Sequence, residues 1–156
     1  MSAKPSPPLA ESLSVPDRFS PLDIFLGSNV LFSASRIENH RFLNFWRMRN
    51  VTPTFSAFAI NEVRRNIATD AHHTRFEKLL LQTSMVSDGP LQIIPAGITL
   101  ALKDQPILAT AIFASMNYLI TGDLHHFGHL YGSTIAHVKI LSPTAFLETY
   151  NYRLNL

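Results

Sequence analysis

One feature limits the possible folds of this chain more than any other: short apolar runs alternate with stretches in which apolar residues recur at the spacing of a helix. Four runs have the length and composition of β-strands: "DIFLG" (23–27), "LQIIPA" (91–96), "NYLIT" (117–121) and "HVKIL" (137–141). The stretches with helical spacing are "RFLNFWRM", "TPTFSAFAINEVRRNIA", "TRFEKLLLQTSM", "QPILATAIFASM" and "SPTAFLETY". Strands that alternate with helices predict a three-layer α/β/α fold, with a mostly parallel central sheet covered on both faces.

The composition agrees with such a buried sheet. Of the 156 residues, 46% are hydrophobic and 15% are charged, and so little charge indicates that both faces of the sheet are covered. The formal net charge of +2 permits a nucleic-acid partner without requiring one. Because the chain has no cysteine, it has no disulfide, no Cys-ligated zinc and no cysteine nucleophile, and we expect a cytoplasmic protein.

We expect two regions along the chain. Residues 1–20 are rich in proline and lack an apolar core segment, which predicts a flexible arm and no secretory signal; residues 21–156 are predicted to form a single domain. The uncharged run from 105 to 122 approaches the length of a membrane span. Asn117 divides this run into a helix-like half and a strand-like half, so we predict a buried helix, then a buried strand, and no membrane segment.

Glu62 is the first of three notable acidic residues. It lies in a helix predicted to begin near Pro53, with Thr52 or Thr54 as the cap, and it follows Phe55 by seven residues on the same apolar face. A carboxylate that points inward costs roughly several kcal/mol unless it is paired or bound to a metal. The residues alone leave two interpretations open: an inward-pointing carboxylate, or an edge position that reaches solvent or an arginine.

Asp104 and Asp123 occupy positions near which sites form in parallel α/β folds. Asp104 directly precedes the apolar helix, where the alternative is a plain N-cap. Asp123 follows the strand of residues 117–121, where the alternative is a turn aspartate. With Glu62 they would form a group that holds Mg²⁺ or Mn²⁺ through oxygen ligands, and such an ion activates water for phosphodiester hydrolysis.

Three segments carry a resemblance to a known family. The segment "LKDQPILATAIFASMNYLITGDLHHF", in which an Asp opens an apolar helix and a strand ends in Thr-Gly-Asp, resembles the PIN-domain family of metal-dependent ribonucleases. "INEVRRN" is similar to the family's helix with an acidic Glu, and "FLGSNVLFSAS" to its first strand. The resemblance extends over about residues 22–148 and is closest to the toxin components of bacterial toxin–antitoxin pairs.

This resemblance implies an activity and a set of site residues. The catalytic and metal-binding residues would be Glu62, Asp104 and Asp123, supported by Asn29, Thr121 and Ser28. The implied reaction is in-line attack of metal-activated water on an RNA phosphodiester, with Mg²⁺ or Mn²⁺ as the cofactor. The resemblance also implies RNA as the substrate, an antitoxin protein as a partner and a homodimer.

Gly27 departs from the family pattern, which has "FLD" where this chain has "FLG". Asp23 cannot replace the missing acid, because four strand residues span about 13 Å. Ser28 or Asn29 offers a neutral oxygen, which is a poorer ligand for Mg²⁺ than a carboxylate. Gly27 therefore fits a chain with weakened or lost activity that is retained for binding RNA or protein, and it equally fits an introduced change that disarms a toxic nuclease.

Basic and aromatic residues provide a candidate RNA surface. The arginines expected to contact phosphate are Arg47, Arg49, Arg64 and Arg65. Trp46 and Phe45 would add a stacking surface, although the spacing of their segment favours an aromatic face packed in the core.

Two other classes of site are disfavoured. The histidines of "HHFGHL" have spacings that suit zinc, but no acidic signature such as HExxH accompanies them. We expect instead that Phe127 packs inward and that His125, His126 and His129 lie near the mouth of the acidic site. The chain has neither G-x-G-x-x-G nor a P-loop, which argues against a nucleotide-binding Rossmann protein.

Overall fold

The computed structural model describes residues 18–154. The strands are β1 (Leu22–Leu26), β2 (Val51–Ser56), β3 (Ser84–Val86), β4 (Tyr118–Ile120), β5 (Thr134–Ile135) and β6 (Val138–Leu141). The α-helices are α1 (Ser28–Arg36), α2 (Ala57–Asn66), α3 (Asp70–Leu80), α4 (Gln105–Phe113), α5 (Leu124–Phe127) and α6 (Pro143–Tyr150). Short 3₁₀ helices cover Arg41–Trp46, Leu91–Ile93, Gly128–Leu130 and Asn151–Arg153.

The strands form one six-stranded sheet in the order β3-β2-β1-β4-β6-β5. All neighbouring pairs are parallel except β5 and β6, which are antiparallel. Side chains alternate across the sheet: Phe25 of β1 packs in one buried cluster with α4, whereas Ile24 and Leu26 pack in a second cluster with α1, α2 and α6. These two cores, one on each face, confirm the predicted three-layer α/β/α fold with a mostly parallel sheet.

The segment around Pro53 differs from its prediction. Residues 51–56 form β2, which pairs with β1 and β3, and the helix begins only at Ala57. Its cap is Ser56, whose hydroxyl accepts a hydrogen bond from the backbone N–H of Ala59 (3.5 Å). The predicted caps at Thr52 and Thr54 are therefore wrong, because a strand of alternating Thr and bulky residues precedes the helix.

The run of residues 91–96 is not a strand. It contains a 3₁₀ turn, and Ile93 and Ile94 pack against the same cluster as α4. Residues 105–122 fold as predicted, into α4 and then β4. Within the described part of the chain, no helix is long and apolar enough to cross a membrane.

Most of the predicted arm, residues 1–17, lies outside the described residues. Residues 18–20 contact the domain: the side-chain amide of Asn50 donates to the carbonyl of Phe19 (2.7 Å), and the guanidinium of Arg153 donates to the carbonyl of Ser20 (2.8 Å). The chain entering β1 is thereby attached to the segment that precedes β2 and to the last 3₁₀ turn.

The entry into α6 provides a stability prediction. Ser142 caps this helix, since its hydroxyl accepts from the backbone N–H of Ala145 (3.1 Å), and Phe146 of the same helix is fully buried. Ser142→Ala should lower the free energy of unfolding by about 1 kcal/mol, because an N–H loses its acceptor. Urea denaturation measures this, with Ser133→Ala at an exposed position as the control. Equal midpoints for the two variants would contradict the cap.

Candidate functional site

A small acidic cleft lies beyond the carboxyl ends of β1 and β4. These strands are neighbours in the sheet, while the chain continues from β1 to β2 on the other side of β1. The cleft therefore lies at the switch in strand order, where sites of open α/β sheets form. It has a volume of about 100 Å³ and is lined by Gly27, Ser28, Asn29, Phe58, Glu62, Lys103, Asp104, Ile107, Thr121, Asp123 and Phe127.

Asp104 is the most deeply placed carboxylate of the cleft. It is only 6% exposed, and its Oδ2 atom is buried without a hydrogen-bond partner. The plain N-cap interpretation is wrong, because its side chain makes no capping hydrogen bond to α4. Pro106 in the first turn has no N–H to offer, and the N–H of Ile107 bonds to the backbone carbonyl of Asp104 (3.2 Å). Asp104 thus lines the cleft without serving as a side-chain cap.

Asp123 combines a structural role with a place in the site. Its Oδ1 accepts from the backbone N–H of His126 (3.1 Å), which caps the short helix α5. Its Oδ2 lies 2.7 Å from Nδ1 of His126. Since an ionised carboxylate only accepts, we assign the proton of this bond to Nδ1. The turn interpretation of Asp123 is therefore confirmed, and the same residue lines the cleft.

The two aspartates have shifted pKa values of opposite sign. Burial raises the pKa of the Asp104 carboxyl, and the nearby His126 and Lys103 oppose that rise only in part. Burial also acts to raise the pKa of Asp123, but the hydrogen bonds from His126 outweigh it, and the net pKa is lowered. A cation placed between the two carboxylates would favour the ionised form of both.

Glu62 lines the same cleft from α2. It is half-buried, and its Oε1 accepts a hydrogen bond from the hydroxyl of Ser28 (2.7 Å). The predicted apolar face shared with Phe55 is wrong, because Phe55 belongs to β2, and Phe58, which lies one turn before Glu62 on α2, is 40% exposed. Glu62 is half-buried, as the edge interpretation predicts, but its carboxylate bonds to a serine and not to an arginine.

The supporting residues connect the two strand ends. The amide of Asn29 accepts from the backbone N–H of Gly122 (3.1 Å) and donates to the hydroxyl of Thr121 (3.5 Å). That hydroxyl in turn accepts from the backbone N–H of Asp123 (3.2 Å). The end of β1 and the turn after β4 are thereby held in register, which fixes the backbone from which Asp123 projects.

His126 is the site residue that the sequence analysis placed only at the mouth. Its Nδ1 lies 2.7 Å from Oδ2 of Asp123 and 3.4 Å from Oδ2 of Asp104. Among the described residues, Asp104, Asp123 and His126 form the one group of at least three potential metal ligands whose donor atoms all lie within 4.8 Å of one another. Glu62 is outside this group. Phe127 is buried as expected.

The predicted RNA-binding arginines do not surround the cleft. Arg64 forms a two-bond ion pair with Glu77 (2.9 and 3.0 Å), and Arg65 is exposed on the same helix. Arg47 and Arg49 precede β2 and so lie at the amino ends of the strands, whereas the cleft lies at their carboxyl ends. Lys103, which the sequence analysis did not select, lines the cleft.

The aromatic residues of the same candidate surface are structural. Phe45 is fully buried, and Trp46 packs against the core with its indole N–H donating to the hydroxyl of Thr83 (2.8 Å). The core interpretation is confirmed for Phe45, and Trp46 is half-buried and packs against the same core.

Comparison with known proteins identifies the fold but no family. No family model matches the chain, and no curated protein matches it. Among the solved structures that match is a chain in the crystal structure of VapBC2 from Rickettsia felis bound to a DNA fragment from their promoter. The two chains share 14% sequence identity with a TM-score of 0.57, over 78% of this chain and 98% of that chain. At this identity the likeness establishes a shared fold.

Proposed function

We propose that this chain is a PIN-type endoribonuclease of the toxin-like kind, dependent on Mg²⁺ or Mn²⁺, with activity weakened by Gly27. The observation that carries the proposal is the buried Oδ2 atom of Asp104, which has no hydrogen-bond partner and faces a second carboxylate at the switch point of the sheet. A buried carboxylate oxygen that accepts no hydrogen bond is costly in a metal-free protein. A divalent cation would compensate that cost, so the residues present fit the metal that the family resemblance implies.

Each residue of the cleft has a distinct task in this proposal. Asp104 and Asp123 would hold the cation, which supplies an activated water and neutralises charge on the phosphodiester. Glu62, oriented by Ser28, would bind the water that completes the ion's ligands or accept its proton. Lys103 at the rim would attract the RNA phosphate.

Gly27 favours a second candidate function, a binding module without catalysis. Without a side chain at the end of β1, the cleft has one oxygen donor fewer than the family pattern. The fold and the cleft would then serve to bind RNA or a protein. The two candidates share a surface and differ in the presence of metal-dependent cleavage.

We also propose a protein partner. The matching solved structure is of VapBC2 bound to a DNA fragment from their promoter, and the sequence resembles toxins that pair with antitoxins. An antitoxin that covers the acidic cleft, and a homodimer of this chain, are parts of the proposal that co-purification and analytical ultracentrifugation would test.

The catalytic proposal is tested by incubating the chain with a pool of short single-stranded RNAs in Mn²⁺, in Mg²⁺ and in EDTA. We expect slow cleavage in the presence of metal, none in EDTA, and none by Asp123→Asn, which lacks one of the two carboxylates that would hold the cation. Absence of metal-dependent cleavage, both by the chain and by a folded Gly27→Asp variant, would contradict the nuclease and favour the binding module.

A further inference from the structure

One ring nitrogen of His126 lies close to two carboxylates of the acidic site. The capping turn at Asp123 brings its ring beside two acids of the cleft, and Nδ1 lies 2.7 Å from Oδ2 of Asp123 and 3.4 Å from Oδ2 of Asp104. Adjacent ligands of an octahedral ion, with bonds of about 2.1 Å, lie about 3 Å apart. The two spacings bracket this value, and the donor atoms of all three residues lie within 4.8 Å of one another, so one cation could contact all three.

The surroundings of Asp104 support a cation at this point, because its contact with His126 leaves the carboxylate without a hydrogen bond. Nδ1 of His126 lies 3.4 Å from Oδ2 of Asp104, within ion-pair distance, but its one N–H is directed to Asp123. Oδ2 of Asp104 is buried and has no hydrogen-bond partner. Nδ1 and Asp123 share one proton, which leaves the Asp104 oxygen for something else to satisfy.

We propose that Nδ1 of His126 is a third protein ligand of the cation, alongside Asp104 and Asp123, and that this mixed nitrogen and oxygen set selects Mn²⁺ over Mg²⁺. The inference deepens the proposed function, since it rests on the same cation site. Imidazole suits transition metals, whereas Mg²⁺ is bound almost entirely by oxygen. The missing oxygen donor at Gly27 is thus partly replaced by a nitrogen donor from the other side of the cleft.

Binding of the ion requires the proton on Nδ1 of His126 to leave that atom. In the metal-free chain the proton on Nδ1 lies between the ring and Asp123. That proton must leave Nδ1 before the lone pair of this atom can bind the cation: in a neutral ring it moves to Nε2, and in an imidazolium, which already carries a proton on Nε2, it is released to solvent. The same ring atom therefore bonds Asp123 in the metal-free state and the cation in the bound state.

The test measures metal binding without any RNA. Mn²⁺ and Mg²⁺ dissociation constants are determined by calorimetry for the full chain and for His126→Gln, with His125→Gln as the matched control. His125 is exposed and its ring lies 4.9 Å from that of His126, but it is outside the ligand group. We expect His126→Gln to weaken Mn²⁺ binding at least about tenfold and to change Mg²⁺ binding much less, and His125→Gln to change neither.

A spectroscopic measurement identifies the ligand directly. Electron spin-echo spectroscopy of bound Mn²⁺ should show coupling to one imidazole nitrogen in the chain and in His125→Gln, and no such coupling in His126→Gln. A second variant, His126→Asp, guards against a folding defect in the first. It replaces nitrogen with oxygen, so we expect it to bind metal with a reduced preference for Mn²⁺ over Mg²⁺.

The possible outcomes distinguish a failure of the ligand role of His126 from a failure of the proposed cation site. Tighter Mn²⁺ binding by His126→Gln would show that the ring competes with the ion as a counter-charge, and would overturn the ligand role. Bound Mn²⁺ without nitrogen coupling would also overturn it. Both results leave the cation site of Asp104 and Asp123 in place. If the chain binds neither ion at millimolar concentration, the ligand role and the proposed cation site fail together.

Discussion

Placing an aspartate at position 27 is expected to raise metal-dependent RNA cleavage by at least about 100-fold, equivalent to about 2.7 kcal/mol of transition-state stabilisation. The residue lies at the end of β1 and lines the cleft with Asp104 and Asp123. A third carboxylate there would add an oxygen ligand of the type that Mg²⁺ and Mn²⁺ prefer. It would also fix the ion more tightly in the position from which it activates water.

The backbone accommodates this substitution. Gly27 has φ −69° and ψ 157°, an ordinary conformation for any residue. A Cβ atom there would lie 3.4 Å from the side chain of Thr121 and 3.5 Å from that of Asn29, which are normal van der Waals distances. Position 27 also precedes α1, which has no side-chain cap, so an aspartate would offer an acceptor to the first turn.

The assay compares the chain with Gly27→Asp and with Gly27→Asn, a control of nearly the same shape without the charge. We expect only the aspartate to accelerate cleavage, and only in Mn²⁺ or Mg²⁺. Equal rates for the chain and Gly27→Asp would mean that the existing ligands suffice. Equal activation by Gly27→Asn would show that the effect comes from capping α1 and not from a metal ligand.

The residues around Gly27 show how much of the site could be predicted from the sequence. The strand end at β1, the acid before α4 and the acid after β4 all follow from local patterns, and the sheet order brings them together. Asp104 begins α4 and Asp123 follows β4, and because the chain reverses direction between this helix and this strand, the start of α4 lies beside the end of β4. Periodicity and strand-end logic were sufficient for this, because both aspartates are tied to the boundaries of regular elements.

His126 could not be assigned in the same way. Its position depends on a four-residue helix, α5, whose single turn directs the ring toward Asp104. The ring of a histidine three residues after a capping aspartate can take many orientations. The adjacent residue, His125, is also a histidine, but it is exposed. The one available signal was the spacing of three from Asp123, which places both side chains on one side of a turn.

The wrong secondary-structure predictions have a shared physical cause. Pro53 next to threonines is typical of a helix start, but here it lies in β2 beside Ile24 of β1. The apolar run at Ile93 and Ile94 is typical of a strand, but it covers α4 outside the sheet. In both cases tertiary packing overrides a local propensity that is worth only fractions of a kcal/mol, roughly, for each residue.

The second large effect concerns the stability of the metal-free chain. In EDTA at pH 7, Asp104→Asn is expected to raise the free energy of unfolding by about 1–2 kcal/mol, because it removes a buried charge whose Oδ2 accepts no hydrogen bond. Asp123→Asn, the matched control, should lower it by about 1 kcal/mol, since Asp123 accepts two hydrogen bonds from His126. Urea denaturation of the two variants should therefore shift the midpoint in opposite directions.

The pH dependence follows from the pKa shifts. Burial raises the pKa of Asp104 in the folded state, so the folded chain gains stability as pH falls through that raised pKa toward the ordinary value of 3.8. The hydrogen bonds of His126 lower the pKa of Asp123, so the stability it contributes is present above 3.8 and is lost as pH falls below it. The advantage of Asp104→Asn over the chain should accordingly shrink between pH 7 and pH 4.

Adding metal should reverse which of the two proteins, the chain or Asp104→Asn, is the more stable. An ion that binds only the folded chain stabilises it by about 2.7 kcal/mol at a hundred times its dissociation constant, and Asp104→Asn should lose most of that gain. The chain would then be the more stable protein in Mn²⁺ and the less stable one in EDTA. Such a crossover would mean that the Asp104 carboxylate destabilises the metal-free chain and stabilises the chain that has bound the cation. If Asp104→Asn is more stable in both conditions by the same amount, Asp104 does not hold the ion.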